Sequence, residues 1–381
     1  MRVAHVITRM IVGGAQENTL FNCEDLVQMY NDDVLLITGP ALGPEGDLLT
    51  QGRGVSFQVE VIPELQRSVH PWRDWASYRA LRRTLEKYQP DVVHTHSAKG
   101  GMLGRMAAWS LGVPSIIHTV HGAPFHPYQP WIARELIRRA ERYGATKCHK
   151  LVSVADAMTD LLVNAGVAPR EKCTTIYSGM DVEPFLAADE HRERVRKELG
   201  FERQHVVIGK IARLFHLKGH EYVIDAAERV VAACPEAHFL FVGDGILRES
   251  LQARIDKAGL TDHFHFTGLV APSRIPELLG AMDILVHASL REGLARALPQ
   301  ALIAGKPAVS FDCDGAREVV LTGETGCLVP PLSVDRLAAA LQELASDPAL
   351  RTRLGQTGRA RFTDQFRHQT MTRRLRELYG P

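Results

Sequence analysis

Thr174-Thr175-Ile176-Tyr177-Ser178-Gly179-Met180-Asp181, followed by a charged segment from His191 to Lys197 and then by Val206-Val207-Ile208-Gly209, is the stretch that decides the architecture. Upstream of it, short apolar runs at residues 3–7, 34–37, 92–94, 115–119 and 151–154 each lead into a loop and a longer amphipathic stretch. That alternation is the rhythm of parallel strand–helix–strand units. Downstream, the same rhythm restarts at Val206 and continues through runs at 237–242, 263–267, 284–287 and 308–311. Within residues 221–233, Val223, Ala227 and Val230 recur at helical spacing, with Glu221, Glu228 and Arg229 outside the stripe. The pattern predicts two α/β domains, residues 1–181 and 182–361, with a terminal helix in 362–381 returning to the first. Two open parallel sheets in tandem are expected to face one another across a cleft lined by the C-terminal ends of their strands.

Composition agrees with that reading and narrows the partners. A chain of 381 residues, 45% hydrophobic and 23% charged, is too long for one ordinary core. Forty-five basic against 44 acidic residues leave a formal net charge of +1, so no global basic field points to nucleic acid. Six scattered cysteines form no C-x-x-C pair, which predicts reduced thiols, no disulfides and a cytoplasmic location. Met1 to Arg9 reads as a short strand interrupted by His5 and Arg9 rather than as a signal peptide. No run approaches the roughly 18 apolar residues of a membrane-spanning helix, so membrane contact is expected to be peripheral at most.

The chemistry concentrates in a few places. Glu292-Gly293-Leu294-Ala295 precedes a stretch in which Leu298, Ala301 and Leu302 mark the buried stripe of a helix, with Gln300 beside them. Unpaired N–H donors at a helix start suit a pyrophosphate. An ionised Glu292 suits paired sugar hydroxyls and Gln300 a ribose diol. The plain alternative is an exposed glutamate before an ordinary helix. Arg213, after the strand containing Gly209-Lys210-Ile211, and Lys218, ahead of Gly219-His220, flank a second helix start, where two cations can neutralise a diphosphate. Two solvated surface charges are the alternative there.

Gly13-Gly14-Ala15 opens a helix after the first strand and lets backbone approach a phosphate or hydroxyl, or simply makes a tight turn. The absence of G-x-G-x-x-G argues against a dinucleotide oxidoreductase. His118-Thr119-Val120-His121-Gly122 puts an imidazole at a strand end, where His121 meets a sugar hydroxyl or reacting oxygen, or serves as a core histidine. His94-Thr95-His96 raises a metal reading, set aside on the expectation that the two rings face opposite sides of the strand and that no third ligand accompanies them. Asp312-Cys313-Asp314 is read as a turn and helix start rather than a cation site. In 126–143, Trp131, Ile132, Leu136, Ala140 and Tyr143 sit beside a row of Arg134, Arg138 and Arg142, fit either for an anionic membrane or for a domain helix with snorkelling arginines.

Taken together, these residues resemble the retaining family 4 glycosyltransferases with the GT-B fold, and the likeness runs across essentially the whole chain. Gly13-Gly14-Ala15, His121-Gly122, Ile176 to Asp181, Arg213 with Lys218-Gly219, Val242-Gly243-Asp244-Gly245, Phe266-Thr267-Gly268-Leu269-Val270 and the Glu292 segment carry it, in that order. The resemblance implies a first domain for the acceptor and a last domain for a nucleotide sugar. It implies Arg213 and Lys218 as diphosphate clamps, backbone near Leu269 and Val270 as the base contact, and Glu292 as the residue holding donor-sugar hydroxyls. Gly293 and Leu294 would lend backbone donors, Gln300 would bond the ribose, Gly14 would approach the donor phosphate or acceptor, and His121 the transferred sugar. Two positions depart from the family pattern: Gln300 stands where a second glutamate is usual, and Leu294-Ala295 where Phe-Gly is usual.

The activity implied is transfer of a hexose-type sugar from a nucleoside diphosphate to a glycan or lipid-linked acceptor in cell-surface polysaccharide or glycolipid synthesis. Anomeric configuration would be retained, with neither cofactor nor essential metal. A nucleotide-sugar epimerase of the same architecture and a non-catalytic sugar-nucleotide-binding protein are the competing readings.

Overall fold

The structure, a computed structural model, describes residues 1–42, 46–50 and 55–380. The chain forms two compact units, Met1–Met180 with Gln365–Pro381, and Asp181–Asp364. The division falls one residue before the predicted boundary, and the returning segment starts at Gln365 rather than at 362 because the helix Pro348–Phe362 stays with the second unit.

In the first unit the described strands are β1 (Arg2–Ile7), β2 (Asp33–Thr38), β3 (Gln58–Val61), β4 (Val92–His96), β5 (Ser115–Val120), β6 (Lys150–Ser153) and β7 (Cys173–Thr175). They pair in parallel in the order β3-β2-β1-β4-β5-β6-β7. Central strands are buried on both faces, so they read as continuous runs: Val3, Ala4, Val6 and Ile7 of β1 are all fully buried. One core gathers Val3, Ile7, Leu36 and Val92 from the strands with Cys23 and Leu26 of the helix Gly14–Tyr30 and Met371, Leu375 and Tyr379 of the helix His368–Tyr379.

That last helix is tied in by polar bonds as well. Met180 N–H donates to Phe366 O at 2.8 Å and His368 N–H to Met180 O at 3.2 Å. The buried Asp25 carboxylate accepts from Thr372 Oγ1 at 2.8 Å and meets His368 Nδ1 at 2.8 Å. A buried carboxylate without such partners would be costly, and here both are supplied by the returning segment.

The second unit holds β8 (Val206–Ile211), β9 (Ala237–Val242), β10 (Phe264–Gly268), β11 (Ile284–His287), β12 (Ala308–Phe311) and β13 (Gly326–Val329), parallel in the order β10-β9-β8-β11-β12-β13. Its core joins Ile208, Phe239, Phe241, Ile284 and Val286 to Val223, Ala227 and Val230 of the helix His220–Ala233. In each sheet the first strand lies in the middle and strand order reverses beside it, between β1 and β4 and between β8 and β11. Loops that leave neighbouring strands in opposite directions open a crevice at their C-terminal ends, which is where such sheets bind ligands.

Candidate active site

The reversal in the second sheet brings together the loop after β8, residues 212–219, and the loop after β11, residues 288–296. Leu290 N–H donates to Leu217 O at 2.9 Å and Ser289 Oγ to Lys218 O at 3.5 Å, so the two loops run side by side. The approach is close enough to demand glycine: at Gly219, with φ +66°, a Cβ would fall 1.8 Å from Ala288 O. Leu217 also sits at φ +66°, a conformation costly for a leucine and held by its bond to Leu290. The outcome is that Lys218 Nζ lies 2.5 Å from Glu292 Oε1.

Glu292 is fixed from behind as well. Its N–H donates to Asp314 Oδ2 at 2.6 Å, and Gly315 N–H donates to Gly293 O at 3.0 Å. Asp312 forms a two-pronged pair with Arg317, both contacts 2.9 Å. Asp312 is therefore held by the short helix that follows it, and Asp314 by the Glu292 backbone N–H of the loop after β11. Burial works against a charge on Glu292, but Lys218, with His287 and Ser289 beside it, holds the carboxyl below its usual range. Glu292 is thus an anion at neutral pH, paired with a cation and still partly open to solvent.

Beneath this pair lies a second layer. Lys210 on β8 is fully buried and its Nζ finds no hydrogen-bond partner among the described residues. Burial, reinforced by Lys218, pulls its pKa down to about 7. His287, at the end of β11, lies 3.7 Å from Glu292 Oε1, and burial holds its ring down to about 3, so it is neutral at pH 7.

The remaining expected donor-site residues of the second unit lie on the loops after β8, β10 and β11 and on the helix that follows β11. Arg213 is exposed, its guanidinium 5.2 Å from the centre of the Phe215 ring, and it forms no ion pair among the described residues. Leu269 and Val270 follow β10 just after Gly268, whose φ is +69°, and Leu269 is exposed. Gly293 and Leu294 extend directly from Glu292, and Gln300 is half-buried on the helix Ala297–Ile303, whose Leu298, Ala301 and Leu302 are fully buried.

In the first unit Gly14 begins the helix after β1, and His121 follows β5. The reading of His94 and His96 is corrected here. Residues two apart on a strand share a face, and the rings of His94 and His96 lie with centroids 4.3 Å apart. A third imidazole, His5 from β1, joins them, so that nitrogens of all three lie within 4.8 Å of one another. The cluster extends to His121: His5 Nδ1 is 3.0 Å from His96 Nε2, and His96 Nδ1 is 3.1 Å from His121 Nε2. Burial is the main cause holding His5 down to about 3 and His94 and His96 well below the usual histidine range.

Lys210 and His287 were not singled out from sequence, His5 was read only as interrupting the first strand, and Asp314 only as part of a turn rather than as a partner of Glu292. Lys210 carried a signal, a lone lysine inside the apolar run Val206-Val207-Ile208-Gly209-Lys210-Ile211. Asp314 carried none, because its bond to Glu292 depends on a backbone φ of +49°.

The two halves of the chain match two family models: residues 13–179 match the glycosyl transferase 4-like domain, and residues 191–361 the glycosyl transferases group 1. Among curated proteins, the chain is 27% identical over 382 residues to the UDP-Gal:alpha-D-GlcNAc-diphosphoundecaprenol alpha-1,3-galactosyltransferase of Escherichia coli, covering 100% of this chain and 96% of that one. It is 28% identical over 303 residues to the putative glycosyltransferase EpsD of Bacillus subtilis, covering 77% and 78% of the two chains. Among solved structures it superposes on HepE of Anabaena in complex with UDP-glucose with a TM-score of 0.80, at 21% identity and over 99% of this chain and 98% of that one.

Proposed function

The chain is a GT-B glycosyltransferase of the family 4 type, and from that membership and the Lys218–Glu292 geometry we propose that it moves a hexose-type sugar from a nucleoside diphosphate to a lipid-linked or glycan acceptor with retention of configuration. The observation that carries this reading is the 2.5 Å pair itself, placed where strand order reverses in the second sheet. In the free protein the two charges neutralise one another. A bound donor would give Lys218 a phosphate and leave Glu292 to accept hydrogen bonds from sugar hydroxyls. Arg213, exposed on the same loop, would close on the second phosphate, and the departing diphosphate would be stabilised by these cations without an essential divalent metal.

In this reading Gly293 and Leu294 offer backbone donors to the donor sugar or its phosphate, Gln300 bonds the ribose, and backbone near Leu269 and Val270 meets the base. Gly14 and His121 serve the first unit's share, the acceptor and the transferred sugar. The named activity of the E. coli relative and the UDP-glucose held by HepE support a nucleotide-sugar donor and a lipid-linked acceptor.

A thermal-shift panel of UDP-, GDP- and ADP-sugars should raise the melting temperature with one of them, because a ligand that binds only the native state stabilises it. Transfer from that donor to a diphospholipid-linked sugar should persist in EDTA and be lost in Lys218→Met. If no nucleotide sugar stabilises the protein, the reading fails; if sugar isomerisation appears without acceptor, the epimerase alternative replaces it.

An acceptor in a membrane would call for a surface that meets one. No described helix is long and apolar enough to span a bilayer. Along the helix Trp131–Ala145, however, Trp131, Ile132, Leu136 and Tyr143 are each more than half exposed, with Arg134 and Arg139 exposed beside them. Apolar side chains flanked by arginines suit peripheral docking on an anionic bilayer. Arg138 is engaged with Glu135 and Ala165 O, and Arg142 with Gly166 O, so the apolar residues are the more discriminating target. The protein should float with phosphatidylglycerol vesicles, and Ile132→Ser/Leu136→Ser should leave it in the unbound fraction. Equal recovery of both would remove the membrane contact.

A further inference from the structure

Four side-chain nitrogens beneath the Lys218–Glu292 pair are buried and have no hydrogen-bond partner among the described residues: Lys210 Nζ, both ring nitrogens of His220, and His287 Nε2. Buried polar atoms are normally paired, so a cluster of four calls for a reason. Their elements converge where strand order reverses. Lys210 lies near the end of β8 and His287 ends β11, the strands paired at that reversal, and His220 begins the helix that follows the β8 loop. On its other side Lys210 is in register with Phe241 of β9, whose ring stands edge-on to His220 at 5.1 Å. Burial is the main cause holding His220 and His287 far below the usual histidine range, so each neutral ring keeps a lone pair to which an ammonium can donate.

Three charges act on Lys210 from around this layer. Lys218, on the loop after β8, repels a proton there, while Glu292, on the loop after β11, and Glu221, on the helix, attract one. In the free protein burial and Lys218 prevail, and Lys210 is held down to about 7. That balance depends on what Lys218 faces. Once its charge is given over to a phosphate, its repulsion is cancelled and Glu292 loses its 2.5 Å partner, which leaves the attraction of two carboxylates acting on Lys210. An amine poised near neutrality answers such a change by binding a proton. The other buried groups of the cluster do not: His220 and His287 are neutral, and burial pushes the Cys313 thiol, beside Glu292, up to about 12.

We propose that Lys210 is a positioning residue that binds a proton from solvent when a donor diphosphate takes Lys218, replacing the lost cation so that Glu292 stays ionised toward the sugar, and that releases the proton when the nucleoside diphosphate leaves. The donor's part rests on the functional reading above; the dependence of Lys210 on Lys218 does not.

Calorimetric titration with UDP-glucose at pH 8, run in HEPES and in Tris, reads the protons bound from the difference in heat. The diphosphate of this probe has no group titrating near that pH. About a tenth of Lys210 is charged in the free protein at pH 8, so uptake of about 0.4 to 0.9 proton per donor is expected, and the donor should bind more weakly as pH rises from 7 to 9. Lys210→Met should lose both the uptake and the pH dependence. The free protein supplies a second reading. In a carbon-13 spectrum of the lysine-labelled protein, the side-chain signal missing from Lys210→Met should titrate near pH 7, and Lys218→Met should move its midpoint up by about one unit or more. A midpoint unmoved or lowered in Lys218→Met overturns the proposal, as does donor binding with no proton uptake, or with equal uptake in the unaltered protein and Lys210→Met. If UDP-glucose does not bind while the midpoint moves as expected, the choice of donor fails and the coupling of Lys210 to Lys218 stands.

Discussion

Lys210 is a charge-capable group with full burial and no hydrogen-bond partner among the described residues, and this sets the pH response of the second unit. Its folded pKa of about 7 lies below the ordinary 10.5, so between those values the unfolded chain binds more protons than the native one. Stability contributed by this site rises as pH increases from 7 toward 10.5, and the full cost is present below 7. Lys210→Met should therefore raise the melting temperature at pH 7 and flatten its rise between pH 7 and 10, for a gain on the order of 3–5 kcal/mol at most. His5 and His287, both at about 3, act in the acid range: stability falls as pH drops from 6.5 toward 3, where only the unfolded rings accept protons.

At the ligand side, Glu292→Gln keeps the shape and removes the charge, and kcat/KM should fall by about 10- to 100-fold, the weight of charge-assisted bonds to hydroxyls. Gln300→Ala, by contrast, should raise the donor Kd by about fivefold, roughly 1 kcal/mol, and change turnover less. Calorimetry showing unchanged donor affinity would count against the ribose contact. Lys218 and Glu292 were both singled out from residue type and spacing, because each follows a strand and precedes a helix. Their direct pairing was not legible, since it depends on Leu217 and Asp314 adopting positive φ, which the sequence does not announce.

At the level of elements, the helix Ala297–Ile303 is held by the helix Pro348–Phe362, and two glycines in the latter separate close fit from mere proximity. A Cβ at Gly355 would lie 1.9 Å from Gly305 O, a backbone atom, whereas one at Gly358 would meet the flexible end of Leu302 at 2.9 Å. Gly355→Ala should thus destabilise by about 2–3 kcal/mol and Gly358→Ala by about 1 kcal/mol or less, read as midpoint shifts in urea. The central strands were readable because burial on both faces makes their residues continuously apolar. The edge strands β3, β7 and β13 were not: Gln58–Val61 is exposed throughout, and Cys173–Thr175 is three residues of half-buried, mostly polar chain. The histidine cluster was missed for a related reason. It assembles from β1, β4 and the end of β5, and only the pairing of those strands brings His5 and His96, 91 positions apart in sequence, into one 3.0 Å contact.

For the molecule as a whole, the return of the chain to its first unit is the feature with the widest reach. All four tryptophans, Trp72, Trp75, Trp109 and Trp131, belong to that unit, so their fluorescence reports its unfolding alone. Ending the chain at Asp364 removes the partners of Asp25 and the apolar contacts of Met371, Leu375 and Tyr379. The fluorescence transition should then be lost or fall by at least about 10 °C, while a heat-capacity peak from the second unit persists. Survival of the fluorescence transition at its full temperature would show the helix to be dispensable. The return of the terminal segment to the first unit was legible in the amphipathic 362–379 stretch; the polar bonds that seat it, from Asn18 to Met371, Asn22 to Thr372 and Thr372 to Asp25, were not, because they join residues at opposite ends of the chain.

The order of events on the ribosome follows. Residues 181–364 contain everything their own core requires and can close while translation continues. The half made first must wait, its sheet uncovered where the helix His368–Tyr379 will sit, until the closing residues have emerged. Biogenesis therefore runs opposite to the direction of synthesis, and the nascent N-terminal half is the species for which chaperone protection matters most.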